Sequence, residues 1–387
     1  TMLLAVVSSA ANDFSNALFV GLWESNTDFY RTSAPGAKIA FKISGGTLSV
    51  DMEGSSYWQV IVDGKATQKI LISDRKSYNI VENLPAGNYL VDLVHCSESL
   101  PGESKIYGLK LSKGFSFEPL KPSSRKLEFI GDSYTVGYGV EAPNPETGTV
   151  EETTNTTKSY AYIVASKLKA DYRISAFSGR GLVHNYAGIE PDWHIPDLLE
   201  YTVPGMAAVS KGGEKRDFSA WQPSVVVVFV GINDFQGEGP KASEDAFIKA
   251  YRDLLAKYRK TSPEVKFLLV ATKVYPEDLL IPAVEKVFLA EKNAGDYILD
   301  FAGPLGRPSE VEGFKRVAVV GGGVGCAIAL PSAKAFKEAG AEVTVIVGFR
   351  SKDIVILEDE FKAVADNLIL MTDDGSYGRH GLVTQPL

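Results

Sequence analysis

The stretch KLEFIGDSYTVGYGV, residues 126–140, places a serine directly after a short apolar strand. Ser133 follows Gly131 and Asp132, and ligands of α/β sheets gather beyond the carboxyl ends of the strands. A serine there can attack an acyl carbon if a base takes its proton and N–H donors stabilise the oxyanion. The alternative is that Asp132 and Ser133 only cap a helix, because both residue types are favoured N-caps.

Two later strand ends offer such donors. After the strand predicted at residues 173–177 comes SGRG, where Gly179 lets the backbone approach a ligand closely and leaves an N–H free. After the apolar run SVVVVFV comes GIND, where Asn233 supplies a side-chain amide. Each segment alone is typical of an ordinary turn. Three of them in order, spaced as successive strands of one sheet would be, favour a catalytic serine with an oxyanion hole.

The elements that must position these residues form two different patterns. Residues 125–300 alternate strands with helical segments, which indicates an α/β layered domain. Residues 1–118 consist of short alternating strands separated by turns such as Asp63-Gly64, which predicts a β-sandwich. Between them, EPLKPSSRK has the proline and serine content of a linker. In the α/β part, helices are predicted at residues 159–169, 243–258 and 280–292.

A third segment, residues 301–387, begins again with strand, glycine loop, helix and strand. RVAVVGGGVGCAIAL places Gly321, Gly323 and Gly325 between a strand and a helix, where a pyrophosphate could meet the helix N-terminus. The spacing departs from G-x-G-x-x-G because Cys326 holds the third required position. Arg350, rather than an acidic residue, follows the next strand, which better suits a 2′-phosphate. These glycines are weak candidates for cofactor binding, and no cofactor is expected.

Composition excludes several functions. The net charge of -8 and the pI near 5.3 argue against nucleic acid or an anionic membrane surface as a partner. No apolar run approaches the roughly 20 residues needed to span a bilayer. Cys96 and Cys326 fall in different predicted domains, so neither a disulfide framework nor a cysteine metal site is indicated. No metal site is expected. The opening TMLLAVVSSAANDF fits either the remnant of a secretory signal or an ordinary first strand. Because it lacks the basic region of a signal, a cytoplasmic location is slightly favoured over a secreted or periplasmic one.

The blocks FIGDSYTVGYG, AFSGRG and VGINDF resemble those of the SGNH (GDSL-type) hydrolases. With its β-rich first part, the chain is more closely similar to carbohydrate esterase family 2 over residues 16–290. The resemblance implies a jelly-roll domain followed by a three-layer SGNH domain, and removal of acetyl groups from polysaccharides such as xylan or from short acyl esters. It also implies Ser133 as nucleophile, with the Ser133 and Gly179 N–H groups and the Asn233 amide as oxyanion hole.

The family's last block, Asp-x-x-His, is missing after YILDF, where AGPLGRPSEVEG holds no histidine. The chain has four histidines. His95 lies in a strand-like stretch of the sandwich, which indicates a structural residue. His184 follows the Gly179 block, and His194 lies between the second and third blocks. His380 falls C-terminal to every other block, as the family order requires, and it is the preferred candidate base. The alternative is that no histidine reaches Ser133.

Residues 295–387 resemble the NAD(P)-binding domain of the ferredoxin-NADP reductase superfamily, including electron-transfer subunits of dihydroorotate dehydrogenase. The resemblance rests on GDYILDFAGPLGRPSE, GGGVG, GFRSKDIVILEDEF and TDDGSYGRHG. The flavin-binding barrel of that superfamily is missing, so the segment is predicted to be a partial Rossmann-like domain fused to the esterase, with a structural role. Three hypotheses follow: a carbohydrate or short-chain acyl esterase, a catalytically impaired carbohydrate-binding protein, and, less favoured, an NAD(P)-binding oxidoreductase fragment.

Overall fold

The computed structural model describes residues 14–100, 103–144, 148–188, 191–205, 213–237, 239–275, 277–293, 295–301, 311 and 313–386. The chain divides into two compact units, residues 1–303 and residues 304–387. The first unit contains the sandwich and the α/β sheet together. The boundaries predicted from the sequence, 1–118, 125–300 and 301–387, stay predictions.

Two antiparallel sheets form the sandwich. One contains β1 (Ala17–Val20), β4 (Lys38–Ile43), β9 (Tyr89–His95), β6 (Ser56–Val62) and β7 (Lys65–Ile72) in that order, with β11 (Phe117–Glu118) beside β4. The other has the order β2 (Glu24–Ser25), β3 (Tyr30–Thr32), β10 (Ser104–Leu111), β5 (Gly46–Glu53) and β8 (Lys76–Leu84). Alternate residues of these strands face inward, so a core that includes Phe41, Leu48 and Trp58 lies between the sheets.

The α/β part of the first unit is built on one parallel sheet. Its order is β13 (Asp171–Ala176), β12 (Lys126–Gly131), β14 (Val225–Phe229), β15 (Lys266–Thr272) and β16 (Tyr297–Phe301). After β12 the chain adds β13 on one side of that strand and then crosses to add β14 on its other side, so the order in which strands are added reverses at β12. That reversal is the switch point where doubly wound sheets bind their ligands. The sequence therefore places Ser133, Gly179 and Asn233 after three strands that are neighbours in space.

Helices follow these strands at the ends that the sequence indicates. Among the described residues of the first unit, the helices are α1 (Ser133–Val136), α2 (Val150–Thr153), α3 (Tyr160–Lys167), α4 (Ile195–Leu198), α5 (Ile232–Phe235), α6 (Glu244–Thr261) and α7 (Leu280–Glu291). Ser159 and Ser243 cap α3 and α6, each accepting a hydrogen bond from a backbone N–H three residues on. The predicted helices at residues 159–169, 243–258 and 280–292 are confirmed to within three residues at each end.

The sandwich packs directly on the edge of the parallel sheet at β13. The Tyr172 hydroxyl donates to the Gly36 carbonyl oxygen over 2.8 Å, and the Ser99 hydroxyl donates to the Ala176 carbonyl oxygen over 3.0 Å. Tyr172 and Ser99 are both buried. These contacts hold both ends of β13 against the sandwich, so loops of the sandwich lie beside the loop that follows this strand.

The second unit is a smaller parallel sheet. Its order is β17 (Arg316–Gly322), β18 (Glu342–Phe349), β19 (Asn367–Thr372) and β20 (Arg379–His380). Helices α8 (Cys326–Glu338) and α9 (Glu358–Val364) connect the first three strands. Val343, Val345 and Phe361 are among the residues of its core. This strand, glycine loop, helix and strand arrangement is the one predicted for residues 316–349.

Within the described part of the chain, no helix combines the length and the apolar character that crossing a bilayer requires.

Candidate active site

Ser133 is the first residue of α1, directly beyond the carboxyl end of β12, and its side chain is half-buried. The first N–H groups of a helix have no acceptor inside the helix, so the Ser133 N–H is available to a ligand. Gly131 is required beneath it, since a Cβ at that position would lie 1.9 Å from the Thr135 Oγ1 atom. The sharp turn from strand to helix thus needs this glycine and presents the serine at the sheet edge.

Asp132 is both the N-cap of α1 and a buried acid. Its Oδ1 atom accepts from the Tyr134 N–H over 3.2 Å, and its Oδ2 atom has no hydrogen-bond partner among the described residues. Burial, with a smaller contribution from the nearby Asp234, raises the pKa of the Asp132 carboxyl to about 7, although the Tyr134 N–H acts to lower it. The capping interpretation from the sequence is therefore correct for Asp132, while Ser133 beside it stays free for chemistry.

The Gly179 loop follows β13 and supplies an open backbone. Gly179 has a φ of +75°, a conformation that residues with a side chain rarely adopt. A Cβ on Gly179 would meet nothing within 4 Å, so open space lies beside it. Within the described residues its N–H has no acceptor, while its carbonyl oxygen accepts from the Tyr186 N–H over 2.8 Å. This free N–H, one strand away from Ser133, can donate to a bound oxyanion.

Asn233 and Asp234 tie the loop after β14 to the loop after β13. The Asn233 Nδ2 atom donates to the Arg180 carbonyl oxygen over 2.8 Å, which uses one of its two N–H bonds and orients the amide. The Asp234 carboxylate accepts three backbone N–H bonds, from Leu182 (2.9 Å), Val183 (2.7 Å) and His184 (3.0 Å). Burial raises the pKa of Asp234, and these three N–H groups act against it. Asp234 thus fixes the Gly179 loop relative to Asn233.

Glu98 brings the sandwich to the same loop. It lies in the loop after β9, and its Oε1 atom accepts from the Ser178 hydroxyl over 2.7 Å, one residue before Gly179. Burial raises the pKa of the Glu98 carboxyl to about 7; the Ser178 hydroxyl and N–H lower it, and Glu151 raises it. The contact joins residues 80 positions apart and anchors the Gly179 loop to the sandwich.

Glu98 predicts a distinctive dependence of stability on pH. Because its pKa is raised in the folded state, the fold binds a proton that the unfolded chain releases between pH 4.5 and about 7. The contribution of Glu98 to the free energy of unfolding therefore falls over that interval and is constant above it. Glu98→Gln keeps the acceptor for Ser178 and removes the titration, so its stability relative to the wild type should rise by roughly 2 kcal/mol from pH 4.5 to pH 8.

Urea unfolding of the full chain at pH 5, 6, 7 and 8 measures this difference. Glu82→Gln, an exposed change on β8, is the control and should show no such trend. A stability difference between Glu98→Gln and the wild type that stays constant across these pH values would contradict the assignment.

The four histidines lie in different surroundings. His95 is buried on β9, its Nδ1 atom lies 3.0 Å from the Ala34 carbonyl oxygen, and burial lowers its pKa to about 4, so it is a structural residue. His194 precedes α4 with its Nδ1 atom 3.5 Å from the Asp197 carboxylate. The backbone N–H of His184 donates a hydrogen bond to the Asp234 carboxylate. His380 is exposed on β20 of the second unit. Among the described residues of its own unit, the Ser133 hydroxyl makes no hydrogen bond.

The segment where the missing histidine block would fall, residues 302–310, lies outside the described residues. The base assignment of His380 therefore stays a prediction, as do the catalytic roles of Ser133, Gly179 and Asn233.

In the second unit, Gly321 lies near the end of β17, and Gly323 and Gly325 lie between β17 and α8. A Cβ on Gly323 or Gly325 would meet nothing within 4 Å, which leaves the loop open. Among the described residues, no group of three or more His, Cys, Asp or Glu side chains could hold a metal ion.

Sequence reasoning missed Asp234 and Glu98. Asp234 stands in the GIND segment, and the signal was available, because a carboxylate in a turn beside an oxyanion loop can accept its N–H groups. Glu98 gave no such signal, since only the folded chain shows which loop of the sandwich meets β13.

Comparison with known families identifies two domains in the first unit. Residues 22–119 match the "Carbohydrate esterase 2 N-terminal" family, and residues 129–294 match the "GDSL-like Lipase/Acylhydrolase family".

Three relatives divide between the two parts of the chain. The chain is 32% identical over 251 residues to a cellulase/esterase, CelE, of Acetivibrio thermocellus, covering 63% of this chain and 30% of the relative. It is 33% identical over 200 residues to an acetylxylan esterase / glucomannan deacetylase of Cellvibrio japonicus, covering 51% and 53%. It is 41% identical over 162 residues to a dihydroorotate dehydrogenase B electron transfer subunit homolog of Thermotoga maritima, covering 40% and 56%. The chain thus spans between 30% and 56% of the length of these relatives.

A solved structure of a family two carbohydrate esterase from Clostridium thermocellum, in complex with cellohexaose, is also similar. The TM-score is 0.67 at 28% identity, over 74% of this chain and 88% of that one. Both resemblances drawn from the sequence, to the esterase family and to the electron-transfer subunits, are confirmed by these matches.

Proposed function

We propose that residues 22–294, which carry the two domains of a family 2 carbohydrate esterase, form a serine esterase that removes acetyl groups from carbohydrate. One observation carries the proposal: Ser133, the free Gly179 N–H and the Asn233 amide follow the carboxyl ends of three adjacent parallel strands. The Asp234 carboxylate accepts three N–H bonds from the loop that contains Gly179, and so holds this loop beside Asn233. Such fixed donors stabilise charge as it develops on a carbonyl oxygen.

In the proposed reaction the Ser133 Oγ atom forms a bond to the acetyl carbon, and its proton passes to a base. The carbonyl oxygen becomes an oxyanion held by the N–H groups of Ser133 and Gly179 and by the Asn233 amide. Collapse of this intermediate breaks the bond to the sugar oxygen, which takes the proton from the base. Water then attacks the acetyl-enzyme by the same steps and releases acetate and Ser133.

A carbohydrate substrate is supported by the names of the relatives and by the surface around Ser133. Tyr134 and Tyr138 follow Ser133 and are 39% and 50% exposed, and Tyr186 follows the Gly179 loop and is 42% exposed. Exposed aromatic rings offer the apolar faces and hydroxyl groups that ligand sites combine. We infer acetylated xylan or a similar acetylated polysaccharide as the substrate class.

The proposed base is His380, supplied by the second unit. Its support is its order in the chain, since it follows the other three blocks as the family's catalytic histidine does. The reductase-like second unit would then replace the missing last block of the esterase. No flavin or nucleotide takes part in this proposal.

The second candidate function is a carbohydrate-binding protein with little catalysis. The observation that favours it is the free Ser133 hydroxyl: among the described residues of its unit, no base is within hydrogen-bond reach. Without a base, the oxyanion hole and substrate binding alone give rates lower by several powers of ten.

Acetate release from acetylated xylan by the full chain separates the two candidates. The esterase predicts steady acetate release over many turnovers, with chemically deacetylated xylan as the blank. Retention of the chain on acetylated xylan without acetate release would contradict the esterase and support the binding protein.

A further inference from the structure

A cavity of the first unit lies at the opposite end of the parallel sheet from Ser133. Its volume is about 320 Å³, and it is formed by the sandwich segment around Trp23 and by residues near the start of β13. Because β13 has six residues and a strand rises about 3.3 Å per residue, the cavity is about 20 Å from the Gly179 loop. It is therefore separate from the candidate active site.

Arg173 gives this cavity unused hydrogen-bond donors. Its side chain lines the cavity, and its guanidinium carbon lies 4.5 Å from the centroid of the Trp221 ring. Its Nε and Nη1 atoms are buried and have no hydrogen-bond partner among the described residues. Burial, together with the charge of Arg216, lowers the pKa of Arg173 to about 10. These two atoms are too deeply buried for a ligand to touch, but the Nη2 end of the same guanidinium also has no hydrogen bond among the described residues and can donate to a ligand oxygen in the cavity.

The charges at the mouth decide which class of ligand fits. Glu214 and Asp217 line the cavity and are exposed, and Asp171 lies beside them at the start of β13. The charge of Arg216 is already compensated, because its guanidinium forms an ion pair of 2.6 Å with Glu128. The lining thus has more carboxylates, these three and Glu24, than guanidinium groups, Arg173 and Arg216, and this charge disfavours an anionic ligand. A neutral ligand that both donates and accepts hydrogen bonds suits this wall.

Trp23 provides the apolar wall. Its indole lines the cavity and is only partly buried, and its Nε1 atom is already bonded to the Val20 carbonyl oxygen over 3.0 Å. The exposed ring surface therefore offers apolar contact rather than a donor. An aromatic wall opposite carboxylates and an arginine is the combination of apolar surface and few polar groups that binding pockets use for orientation.

We propose that this cavity is a second carbohydrate-binding site that takes a neutral sugar unit of the polymer. The sugar class rests on the proposed function, while the site itself rests on the donors of Arg173, the carboxylates at the mouth and the Trp23 wall. A polysaccharide held here would keep its acetyl groups near the distant Ser133 site. The site is expected to bind unacetylated oligosaccharide, because its groups contact hydroxyls and ring faces rather than acetyl groups.

The test is calorimetric titration of the full chain with xylohexaose and with cellohexaose. Glu214→Ala and Arg173→Met should each weaken binding at least about tenfold, as expected for the loss of a hydrogen bond to a charged group. Glu214 is exposed and has no ion pair among the described residues, so its replacement should leave folding unchanged. Glu285→Ala, an exposed change on α7, is the matched control and should bind as the wild type does.

Several outcomes would overturn the site. Binding that survives Glu214→Ala and Arg173→Met but disappears in Asn233→Ala would place the sugar at the Ser133 end, which leaves the proposed function intact. Binding of an oligosaccharide that carries uronic acid, with none of the neutral ones, would refute the neutral ligand class. If neither hexaose binds while acetate release is active, the second site alone is wrong. If acetate release also fails, the proposed function falls separately.

Discussion

Ser133→Ala is expected to lower acetyl-ester hydrolysis by at least about a thousandfold, because in the proposed mechanism Ser133 carries the acyl intermediate. The change removes one half-buried oxygen atom from the first residue of α1 and touches no described hydrogen bond, so folding should not change. Hydrolysis of p-nitrophenyl acetate and acetate release from acetylated xylan give the rate. Ser55→Ala, an exposed serine between β5 and β6, is the control and should keep the full rate.

The same assay shows which histidine, if any, acts as the base. If the second unit supplies the base, His380→Ala should lose as much activity as Ser133→Ala, and the two changes together should lose no more, since residues of one catalytic unit are not additive. His184→Ala and His194→Ala should each keep most of the rate. Full activity in His380→Ala would refute its role as base. Equal rates for the wild type and Ser133→Ala would refute the esterase.

The sequence predicts that Ser133 and the hydrogen-bond donors near it lie together, because parallel strands bring the segments that follow them to one edge of the sheet. In a βαβ chain, each strand ends at the same edge of the sheet, so short segments after β12, β13 and β14 must meet. Ser133, Gly179 and Asn233 could be chosen without knowing any long-range contact. The departure from the family's order could be recognised in the same way, because AGPLGRPSEVEG, which directly follows β16, contains no histidine.

Contacts between distant segments could not be predicted in this way. Glu98 meets Ser178 only because the sandwich packs on the edge strand β13, and no local pattern encodes that packing. Likewise Glu128 stands in the apolar strand LEFI, which indicates a buried charge that needs a partner. The partner is Arg216, 88 positions away in an irregular segment between strands.

That buried pair predicts the largest loss of stability. Glu128 is fully buried and the Arg216 side chain is 3% exposed, with 2.6 Å between carboxylate and guanidinium. The Ser175 hydroxyl donates to the same carboxylate over 2.8 Å, and the Arg173 guanidinium adds a second nearby positive charge. Burial raises the pKa of Glu128, but Arg216 and Arg173 outweigh it, so the net pKa is lowered and the carboxylate stays ionised.

Glu128→Gln is expected to destabilise the fold by about 3–5 kcal/mol at pH 7, because it leaves two neighbouring buried guanidinium groups without a counter-charge. The amide oxygen of glutamine still accepts from Ser175, so the lost quantity is charge rather than shape. The lowered pKa of Glu128 means that the wild type keeps this stabilisation above pH 4.5 and loses it only as the pH falls further. The stability gap to Glu128→Gln should therefore stay constant between pH 5 and pH 8 and narrow in stronger acid.

An exposed pair of equal length isolates the effect of burial. Lys249 and Asp253 on α6 are also 2.6 Å apart but 78% and 65% exposed, so Asp253→Asn should cost less than about 1 kcal/mol. The double variant Glu128→Gln with Arg216→Met should recover much of the loss, since a neutral amide then faces an apolar side chain of similar reach and only Arg173 keeps a buried charge. Urea unfolding measures all three changes in the full chain. A double variant that is less stable than Glu128→Gln alone would mean that Arg216 supports the fold through packing and not through its charge.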